Sequence, residues 1–271
     1  MLHKITSPAN PLIKTLKSLH ARKGRLESGL FLAEGARLAA EGADLGYWPE
    51  IIVVAGGALE RPQTRDLIAR ADKAGVRCVE TSPAILEQIA RRDNPQTVIA
   101  AYKPFPTVLS ALDPARASLF VALEGVRDPG NLGTIWRTAD AVGAGGLILI
   151  GQTCDPFSVE AVRATMGSLF AVPVVRTDFA TFDAWRRAGG LALVGASLKG
   201  RMRHDAAAVS PGAVVLMGNE QSGLPPDMEA ACDDLVKIPM RGRADSLNLA
   251  AATAVMLYDV WRRQAYAGAH D

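Results

Sequence analysis

Polar side chains recur in three loops of the C-terminal half of the chain, and each loop follows an apolar run typical of a buried strand. In chain order these residues are Asn131 with Arg137 on the helix that follows, then Asn219 and Glu220 beside Gly218, then Ser246 and Asn248. Amides, a hydroxyl and a carboxylate orient polar ligands through hydrogen bonds, and a guanidinium stabilises negative charge that develops during a reaction. Because ligands collect at the carboxyl ends of strands in open α/β sheets, we expect the three loops to form one site. Taken singly, each residue also fits a structural role as a helix cap or a solvated surface group.

Several common chemistries lack their residue patterns in this chain. The sequence contains neither a Ser–His nucleophile–base pattern, nor GxGxxG, nor a P-loop, so nothing points to hydride or phosphoryl transfer. The three cysteines, Cys78, Cys154 and Cys232, are far apart, and the four histidines are scattered without an HExxH pattern. We therefore expect neither a disulfide framework nor a metal site.

The elements that position the three loops follow from hydrophobic patterning. Continuous apolar strands separated by helices predict a parallel sheet that is buried on both faces. The predicted strands are residues 119–123, 147–150, 172–175, 191–195 and 213–217, followed by a short strand at Val236 and Ile238. The predicted helices between them are 132–142, 158–169 and 179–188.

Two helices carry predicted site residues. The first is expected to begin at Leu132, with Asn131 as its N-cap and Arg137 opposite the buried face. That buried face is predicted to consist of Leu132, Ile135, Trp136 and Ala139. The second helix is expected to begin at Ser246, with Asp245 or Ser246 as its cap. Its residues that share one face at helical spacing are Leu247, Ala251, Ala254, Tyr258 and Trp261.

The N-terminal half predicts a small α/β domain. Strands are expected at 51–54, 76–79 and 98–102, and helices at 8–23, at 65–73 and after Ser82–Pro83. A proline-rich stretch without periodicity follows, which is typical of a linker. A chain of 271 residues suits two domains. We predict an N-terminal domain at 1–103, a linker at 104–116 and a C-terminal domain at 117–271.

Positive charge is concentrated at the N-terminus, although the whole chain carries a formal net charge of only +2. A basic, glycine-containing turn is expected at Lys23–Arg25, directly after the first helix. A basic segment on a near-neutral body indicates a polyanionic partner such as RNA, and a solvated charged face is the alternative. The candidate RNA-binding residues are Lys14, Arg22, Lys23 and Arg25. Because no signal-peptide pattern or membrane-length apolar run occurs, we expect a cytoplasmic protein.

Three segments of the C-terminal half resemble the ordered motifs of a known family. They are LEGVRDPGNLGTIWRTADAVGAGGLIL (123–149), VVLMGNEQSGLP (214–225) and KIPMRGRADSLNLAAATAVMLYD (237–259). The resemblance is to the SpoU/TrmH family of S-adenosylmethionine-dependent RNA ribose 2′-O-methyltransferases. FLAEGARL (31–38) and NPQTVIAA (94–101) resemble the accessory substrate-binding domain of many members. The resemblance covers most of the chain, but residues 177–211 contain no diagnostic residues.

The resemblance implies a fold that hydrophobic periodicity does not predict. It implies a parallel-sheet C-terminal domain with a deep trefoil knot, and a homodimer whose active sites lie near the subunit interface. It also implies that the knot binds S-adenosylmethionine, largely through backbone groups. The implied cofactor-binding residues are Leu216, Met217, Gly218, Asn219, Ile238, Met240 and Leu247.

The implied reaction joins a weakly nucleophilic ribose hydroxyl to an already electrophilic methyl group. The enzyme must hold the hydroxyl in line with the methyl, within roughly 3–3.5 Å, and assist loss of its proton. Arg137 is the implied central residue. Since a guanidinium stays protonated in proteins, we favour positioning and charge stabilisation over general base catalysis. Asn131, Glu220, Ser246 and Asn248 are the implied positioning groups.

Four other functions stay open on the sequence alone. Ribosomal RNA is the expected substrate and transfer RNA the alternative, because the two-domain arrangement is more similar to ribosomal RNA enzymes. A base methyltransferase of similar fold is a further alternative, against which the SLN sequence of the third motif and the NxGxxxR arrangement from Asn131 to Arg137 speak. A non-catalytic RNA- or ribosome-binding protein would not need the motif residues. An enzyme that acts on a small molecule would leave the basic N-terminus unexplained.

Overall fold

A computed structural model of the chain describes residues 2–207, 209 and 212–269. These residues form two compact units. The first unit contains the chain up to Phe105 together with Phe157–Phe170, and the second contains Pro106–Pro156 and the chain from Ala171. The domain boundaries from the sequence stay a prediction, and they place the segment 157–170 in the C-terminal domain instead.

The first 105 residues alternate strands and helices. The strands are β1 (His3–Ile5), β2 (Phe31–Glu34), β3 (Ile51–Ala55), β4 (Arg77–Thr81) and β5 (Val98–Tyr102). The helices are α1 (Pro11–Ser18), α2 (Arg22–Ser28), α3 (Ala36–Asp44), α4 (Pro62–Lys73) and α5 (Pro83–Ala90). Ser82 caps α5 through its side chain, as the Ser–Pro signal predicts.

The strands of the remaining chain are β6 (Leu119–Glu124), β7 (Leu147–Ile150), β8 (Val174–Thr177), β9 (Ala192–Ala196), β10 (Met202–Arg203), β11 (Ala213–Met217) and β12 (Asp234–Lys237). The helices are α6 (Pro129–Ala141), α7 (Val159–Thr165), α8 (Phe179–Ala188), α9 (Pro226–Ala231) and α10 (Leu249–Arg263). The predicted helix 158–169 is therefore shorter, and a 3-10 turn at Ser168–Phe170 follows it.

Each unit is built on one sheet. In the described chain, the first unit has a five-stranded sheet of order β1-β4-β3-β5-β2, in which β5 runs antiparallel to both neighbours. The second has a seven-stranded sheet of order β10-β12-β9-β11-β6-β7-β8, and all its pairs are parallel. The strands β6, β7 and β11 are buried almost throughout, which confirms the predicted parallel sheet covered on both faces.

The segment 157–170 packs within the first unit through rings and an ion pair. Phe157 lies 4.9 Å from Phe31 between ring centroids, and Phe170 lies 5.2 Å from Tyr102. On α7, Arg163 Nη2 donates to Glu34 Oε1 at 2.7 Å. These contacts explain why the segment joins the first unit, although β7 and β8 of the second unit flank it in sequence.

Both predicted starts of the site helices are wrong. Helix α6 begins at Pro129, and the Asp128 side chain caps it by accepting from the Asn131 amide at 2.6 Å. Proline at the first position and aspartate before it are a better start signal than Asn131. The predicted buried face of α6 is confirmed, because Leu132, Ile135, Trp136 and Ala139 are all buried.

Helix α10 begins three residues later than predicted, at Leu249, and its cap is Asn248. The buried face consists of Leu249, Ala250, Thr253, Met256, Leu257 and Val260. The face predicted from helical spacing is instead mostly open to solvent, with Tyr258 45% exposed and Ala251 also exposed. Helical spacing therefore did not identify the face of α10 that packs on this unit, and Leu247 lies before the helix.

The expected basic turn at Lys23–Arg25 is part of helix α2. Gly24 lies so close to Ser18 that a Cβ atom there would overlap the Ser18 carbonyl group. The glycine therefore permits close packing of α2 against the end of α1 rather than a turn.

Candidate active site

A cavity of about 660 Å³ lies at the carboxyl ends of three adjacent strands of the second unit. Its walls come from the segments after β9, β11 and β12 and from the start of α10, with Asn131 from α6. The volume lies within the range of roughly 300–1,000 Å³ that is typical of ligand sites. The predicted meeting of the three loops is thus present as one open pocket.

Six of the seven predicted cofactor residues line this cavity: Met217, Gly218, Asn219, Ile238, Met240 and Leu247. Leu216 does not. Its side chain is fully buried in the apolar core with Phe120, Ile148 and Leu193. Side chains alternate along a strand, so Leu216 supports the sheet while its neighbour Met217 reaches the cavity.

The loop after β11 is tightly closed on itself. Asn219 and Gly223 exchange two backbone hydrogen bonds, of 3.2 and 3.0 Å. A Cβ atom at Gly218 would overlap the backbone of Gly223 and Leu224. Asn219 Nδ2 also donates to the Gly125 carbonyl at 2.7 Å, which ties this loop to the one after β6. Asn219 is therefore a structural tie as well as a cavity residue.

A chain of side-chain hydrogen bonds connects the N-terminus of α10 to Glu220. Asn248 Nδ2 donates to Asn131 Oδ1 at 3.0 Å, and Asn131 Nδ2 donates to Glu220 Oε1 at 3.2 Å. The direction is fixed at one end, because Asn248 Oδ1 accepts from the backbone amides of Ala250 and Ala251. Asn131 must then accept from Asn248 and donate to the carboxylate.

The remaining two catalytic candidates lie differently. Ser246 is exposed in the cavity wall, two residues before the Asn248 cap. Arg137 is exposed on α6, as predicted, and makes no hydrogen bond or ion pair with any residue of the described chain. Arg137 is also absent from the cavity lining. Within one copy of the described chain, the structure brings Asn131, Glu220, Ser246 and Asn248 together and leaves Arg137 outside.

A second cavity, of about 850 Å³, shares the loop Asn219–Ser222 with the first as part of its lining. Its other walls are Glu124, Gly125, Arg127, Asp128 and Gln152. Burial raises the pKa of Glu124 above its ordinary value, although a hydrogen bond from the Asn219 backbone opposes this shift. Both cavities contain Glu220 in their lining, so this carboxylate stands between two spaces open to ligands.

The sequence did not indicate Ser197, Lys199 and Glu229, which also line the first cavity. Ser197 and Lys199 follow β9, in the region without diagnostic residues, and Glu229 lies on α9, which was not predicted. The available signal was that Ser197 and Lys199 follow a predicted strand, at the predicted carboxyl edge of the sheet; Glu229 had no such signal.

The four RNA-binding candidates lie in the first unit. Lys14, Arg22 and Lys23 are exposed on α1 and α2. Arg25 is only 7% exposed, and its Nη1 donates to the carbonyls of Leu19 and His20. These contacts give Arg25 a structural role, because its guanidinium holds the residues that follow α1, so it is the least accessible of the four candidates.

Two further features concern metals and membranes. Within residues 2–207, 209 and 212–269, no group of three or more His, Cys, Asp or Glu side chains is placed to hold a metal ion. In the same part of the chain, no helix is long and apolar enough to cross a bilayer.

A parallel sheet with a polar pocket at the carboxyl ends of its strands defines a ligand-binding α/β protein. Residues 118–258 match the SpoU rRNA Methylase family, and residues 10–100 match the MRM3-like substrate binding domain. The chain belongs to the SpoU rRNA methylase family, which confirms the resemblance seen in its motifs.

Two curated relatives extend over nearly the whole chain. The 23S rRNA (guanosine(2553)-2′-O)-methyltransferase RlmP of Bacillus subtilis is 31% identical over 258 residues, covering 95% of this chain and 98% of its own. A 23S rRNA (uridine(2479)-2′-O)-methyltransferase of Streptomyces viridochromogenes is 30% identical, covering 90% of this chain and 86% of its own.

Solved structures agree with this assignment. The AdoMet-bound rRNA methyltransferase from Sinorhizobium meliloti is 42% identical with a TM-score of 0.90, covering 97% of this chain and 98% of that chain. The SpoU methyltransferase AviRb from Streptomyces viridochromogenes, in complex with the cofactor AdoMet, is 29% identical with a TM-score of 0.83. It covers 94% of this chain and 98% of that chain.

Proposed function

We propose that this protein is an S-adenosylmethionine-dependent ribosomal RNA ribose 2′-O-methyltransferase. The observation that carries the proposal is the cavity at the strand ends, with the hydrogen-bond chain Asn248–Asn131–Glu220 in its wall. Family membership and full-length relatives with this activity support the same function. Transfer RNA remains the alternative substrate.

The residues present fit the cofactor. The cavity has a suitable volume, and its lining combines apolar side chains with the backbone of Gly218, Ile238 and Met240. S-Adenosylmethionine supplies an electrophilic methyl group when it is bound. The backbone groups of the loops after β11 and β12 bind its adenosine and methionine parts, and Leu247 closes the apolar wall.

Asn131 and Glu220 orient the reacting hydroxyl in this proposal. Glu220 lies between the two cavities, so a ribose in the second cavity approaches a methyl group held in the first. Because Asn131 and Asn248 fix the Glu220 carboxylate, it is preorganised to accept the hydrogen bond of the 2′-hydroxyl. The 2′ oxygen would take the methyl group from the sulfonium sulfur, whose bond to it breaks, and would release its proton through the Glu220 carboxylate to water, leaving S-adenosylhomocysteine as the second product.

Arg137 acts in a homodimer in this proposal. It is exposed on α6, which contacts α10, and α10 presents the exposed apolar residues Val255 and Tyr258. Apolar side chains exposed together on a helix face are typical of an interface. Contact between two such faces carries the Arg137 guanidinium to a reacting centre near the interface, where it stabilises the developing charge.

Three further parts of the proposal follow from the family. The C-terminal unit forms a deep trefoil knot, supported by the path of the chain from edge-proximal β12 back to α10, which packs on central strands β6 and β11. The first unit binds RNA through Lys14, Arg22 and Lys23. Since ribosomal RNA is the substrate, the enzyme acts in the cytoplasm.

Mapping of 2′-O-methyl groups in total RNA tests the function directly. We expect one ribosomal RNA position to lose its 2′-O-methyl group in cells without the gene, and the purified enzyme with S-adenosylmethionine to restore it. Loss at a transfer RNA position would favour the alternative substrate. An unchanged methylation map, together with no methyl transfer to unmodified RNA in vitro, would contradict the proposal.

A further inference from the structure

The cofactor cavity has a second polar end, formed by Ser197, Lys199 and Glu229. Ser197 Oγ donates to Glu229 Oε1 at 2.8 Å, and Lys199 Nζ lies 3.1 Å from Glu229 Oε2. All three residues line the same cavity as Glu220 and Asn248, but they come from the segment after β9 and from α9. Neither the catalytic candidates nor the family motifs use them.

The Glu229 carboxylate is held in its ionised form and can still accept further hydrogen bonds. Its side chain is 14% exposed, whereas that of Lys199 is 70% exposed. The hydrogen bond from Ser197, assisted by Lys199, keeps the pKa of Glu229 below its ordinary value despite partial burial. A carboxylate accepts about four hydrogen bonds, so one partner on each oxygen leaves acceptor sites on both.

Two acceptor oxygens side by side match a ligand with two adjacent neutral donors. We propose that Glu229, positioned by Ser197 and Lys199, accepts hydrogen bonds from the two ribose hydroxyls of the bound S-adenosyl cofactor. This inference rests on the proposed function. It makes Glu229 a cofactor-binding residue that selects adenosyl ligands with an intact ribose diol.

The methionine end of the cofactor is a poorer match for Glu229. Lys199 already neutralises this carboxylate, so an incoming ammonium group would also face the Lys199 ammonium. The methionine carboxylate would in turn face Glu229. Like charges at such distances disfavour the charged forms, whereas hydroxyl donors carry no such penalty.

The test measures binding by calorimetry and therefore does not depend on RNA. The probes are S-adenosylhomocysteine and its analogue without the two ribose hydroxyls, each titrated into the parent protein and into Glu229→Gln. Hydrogen bonds to a charged group correspond to about tenfold or more in affinity. We expect Glu229→Gln to weaken S-adenosylhomocysteine at least tenfold and to leave the analogue nearly unchanged.

Asp227→Asn is the matched control. Asp227 also lies in the first turn of α9, but it is exposed and does not line the cavity. Both substitutions remove one acidic charge from the start of this short helix. We expect Asp227→Asn to bind both probes with the affinity of the parent. Equal losses of affinity in Asp227→Asn and Glu229→Gln would instead show that both act through the charge of α9, which would contradict the inference.

A third probe, 5′-methylthioadenosine, retains the ribose but lacks the amino acid. The loss caused by Glu229→Gln should persist with this probe. If Glu229→Gln binds 5′-methylthioadenosine as tightly as the parent does but binds the analogue without the diol more weakly, Glu229 binds the ammonium group and the inference is overturned. It is also overturned if the parent binds the analogue as tightly as S-adenosylhomocysteine, a measurement that needs no variant. A parent that binds no S-adenosyl ligand would contradict the proposed function itself.

Discussion

Asn248 and Asn131 are joined by a 3.0 Å hydrogen bond between side chains that lie 117 residues apart in the chain. Asn248 also caps α10 by accepting from the amides of Ala250 and Ala251. One asparagine therefore fixes both the start of a helix and the orientation of a second amide. That amide donates to Glu220, so the position of the carboxylate depends on the helix cap.

Asn248→Asp separates these two roles. An aspartate still accepts from the two backbone amides, so the cap and the stability of the protein should be retained. It cannot donate to Asn131, whose amide then loses its fixed direction toward Glu220. We expect the methyl transfer rate to fall about ten- to a hundredfold, because small misplacements of positioning groups have effects of this size. Single-turnover kinetics measures the change.

The control is Asn248→Ala, which removes cap and hydrogen-bond chain together. Loss of an N-cap costs about 1 kcal/mol, or a fall of about 2–4 °C in Tm for a unit of this size. The Tm of Asn248→Asp should equal that of the parent, and the Tm of Asn248→Ala should be lower. A fully active Asn248→Asp enzyme would show that the chain to Glu220 has no role in positioning.

Gly218→Val should abolish S-adenosylmethionine binding while the proposed homodimer persists. Its side chain would overlap the backbone of Gly223 and Leu224, so the loop that lines the cavity must open. Gly242→Val is the matched control, since a Cβ atom there meets no atom within 4 Å. Calorimetry should show no binding to the first variant and unchanged affinity in the second. Unchanged affinity in Gly218→Val would remove this loop from the cofactor site.

Local patterning predicted the sheet of the second unit well. The strands at 147–150 and 213–217 have the predicted limits, because continuous apolar runs between helices have few alternatives. The helix starts were missed because Asn131 and Ser246 resemble caps, whereas Asp128 and Asn248 have the backbone geometry and the hydrogen bonds. For α6, the Asp128–Pro129 pair was the better local signal, whereas Ser246 and Asn248 compete as caps of α10 without a proline to decide between them.

Contacts between distant residues were beyond prediction from one sequence. Ser197 and Glu229 lie 32 residues apart, and no local pattern joins them. The burial of Arg25 has a different, local cause, because its guanidinium donates to carbonyls only five and six residues earlier in the chain, and a count of charges does not show such hydrogen bonds. The proposed cofactor residues come from the family resemblance, and Leu216 lies outside the cavity because a motif does not distinguish the two faces of a strand.

RNA affinity should depend steeply on salt through the exposed basic residues of α1 and α2. Replacing Arg22 and Lys23 by alanine should weaken RNA binding and reduce the slope of log affinity against log salt by roughly one for each phosphate that these side chains neutralise. Cofactor affinity should not change. Filter binding at several salt concentrations measures the slope, and a slope equal to that of the parent would mean that these residues form only a solvated face.

Arg25→Ala is the contrasting variant for this experiment. Arg25 is buried, and its loss leaves the carbonyls of Leu19 and His20 without their donor. We expect a loss of about 1–3 kcal/mol in the free energy of unfolding, seen by denaturant titration. At temperatures where the variant is folded, its salt slope should equal that of the parent.

Arg137→Ala should separate chemistry from folding. The side chain is exposed and has no hydrogen bond or ion pair with the described residues, so the free energy of unfolding should change by no more than about 0.5 kcal/mol. Cofactor affinity should also be retained, because Arg137 does not line the cavity. Loss of one preorganised stabilising group slows a reaction by about a hundredfold or more, and we expect a fall of this size in methyl transfer.

Arg137→Lys identifies what the guanidinium contributes. A lysine keeps the charge but lacks the planar fork that binds phosphate or carboxylate groups with two hydrogen bonds. If two-point orientation matters, Arg137→Lys should remain nearly as slow as Arg137→Ala, and if charge suffices, most of the rate should return.

Mixing Arg137→Ala with an inactive Gly218→Val partner adds a test of the dimer. Recovery of activity in the mixed dimer requires that Arg137 of one subunit serve the cavity of the other, whereas a fully active Arg137→Ala enzyme would contradict any catalytic role for this residue.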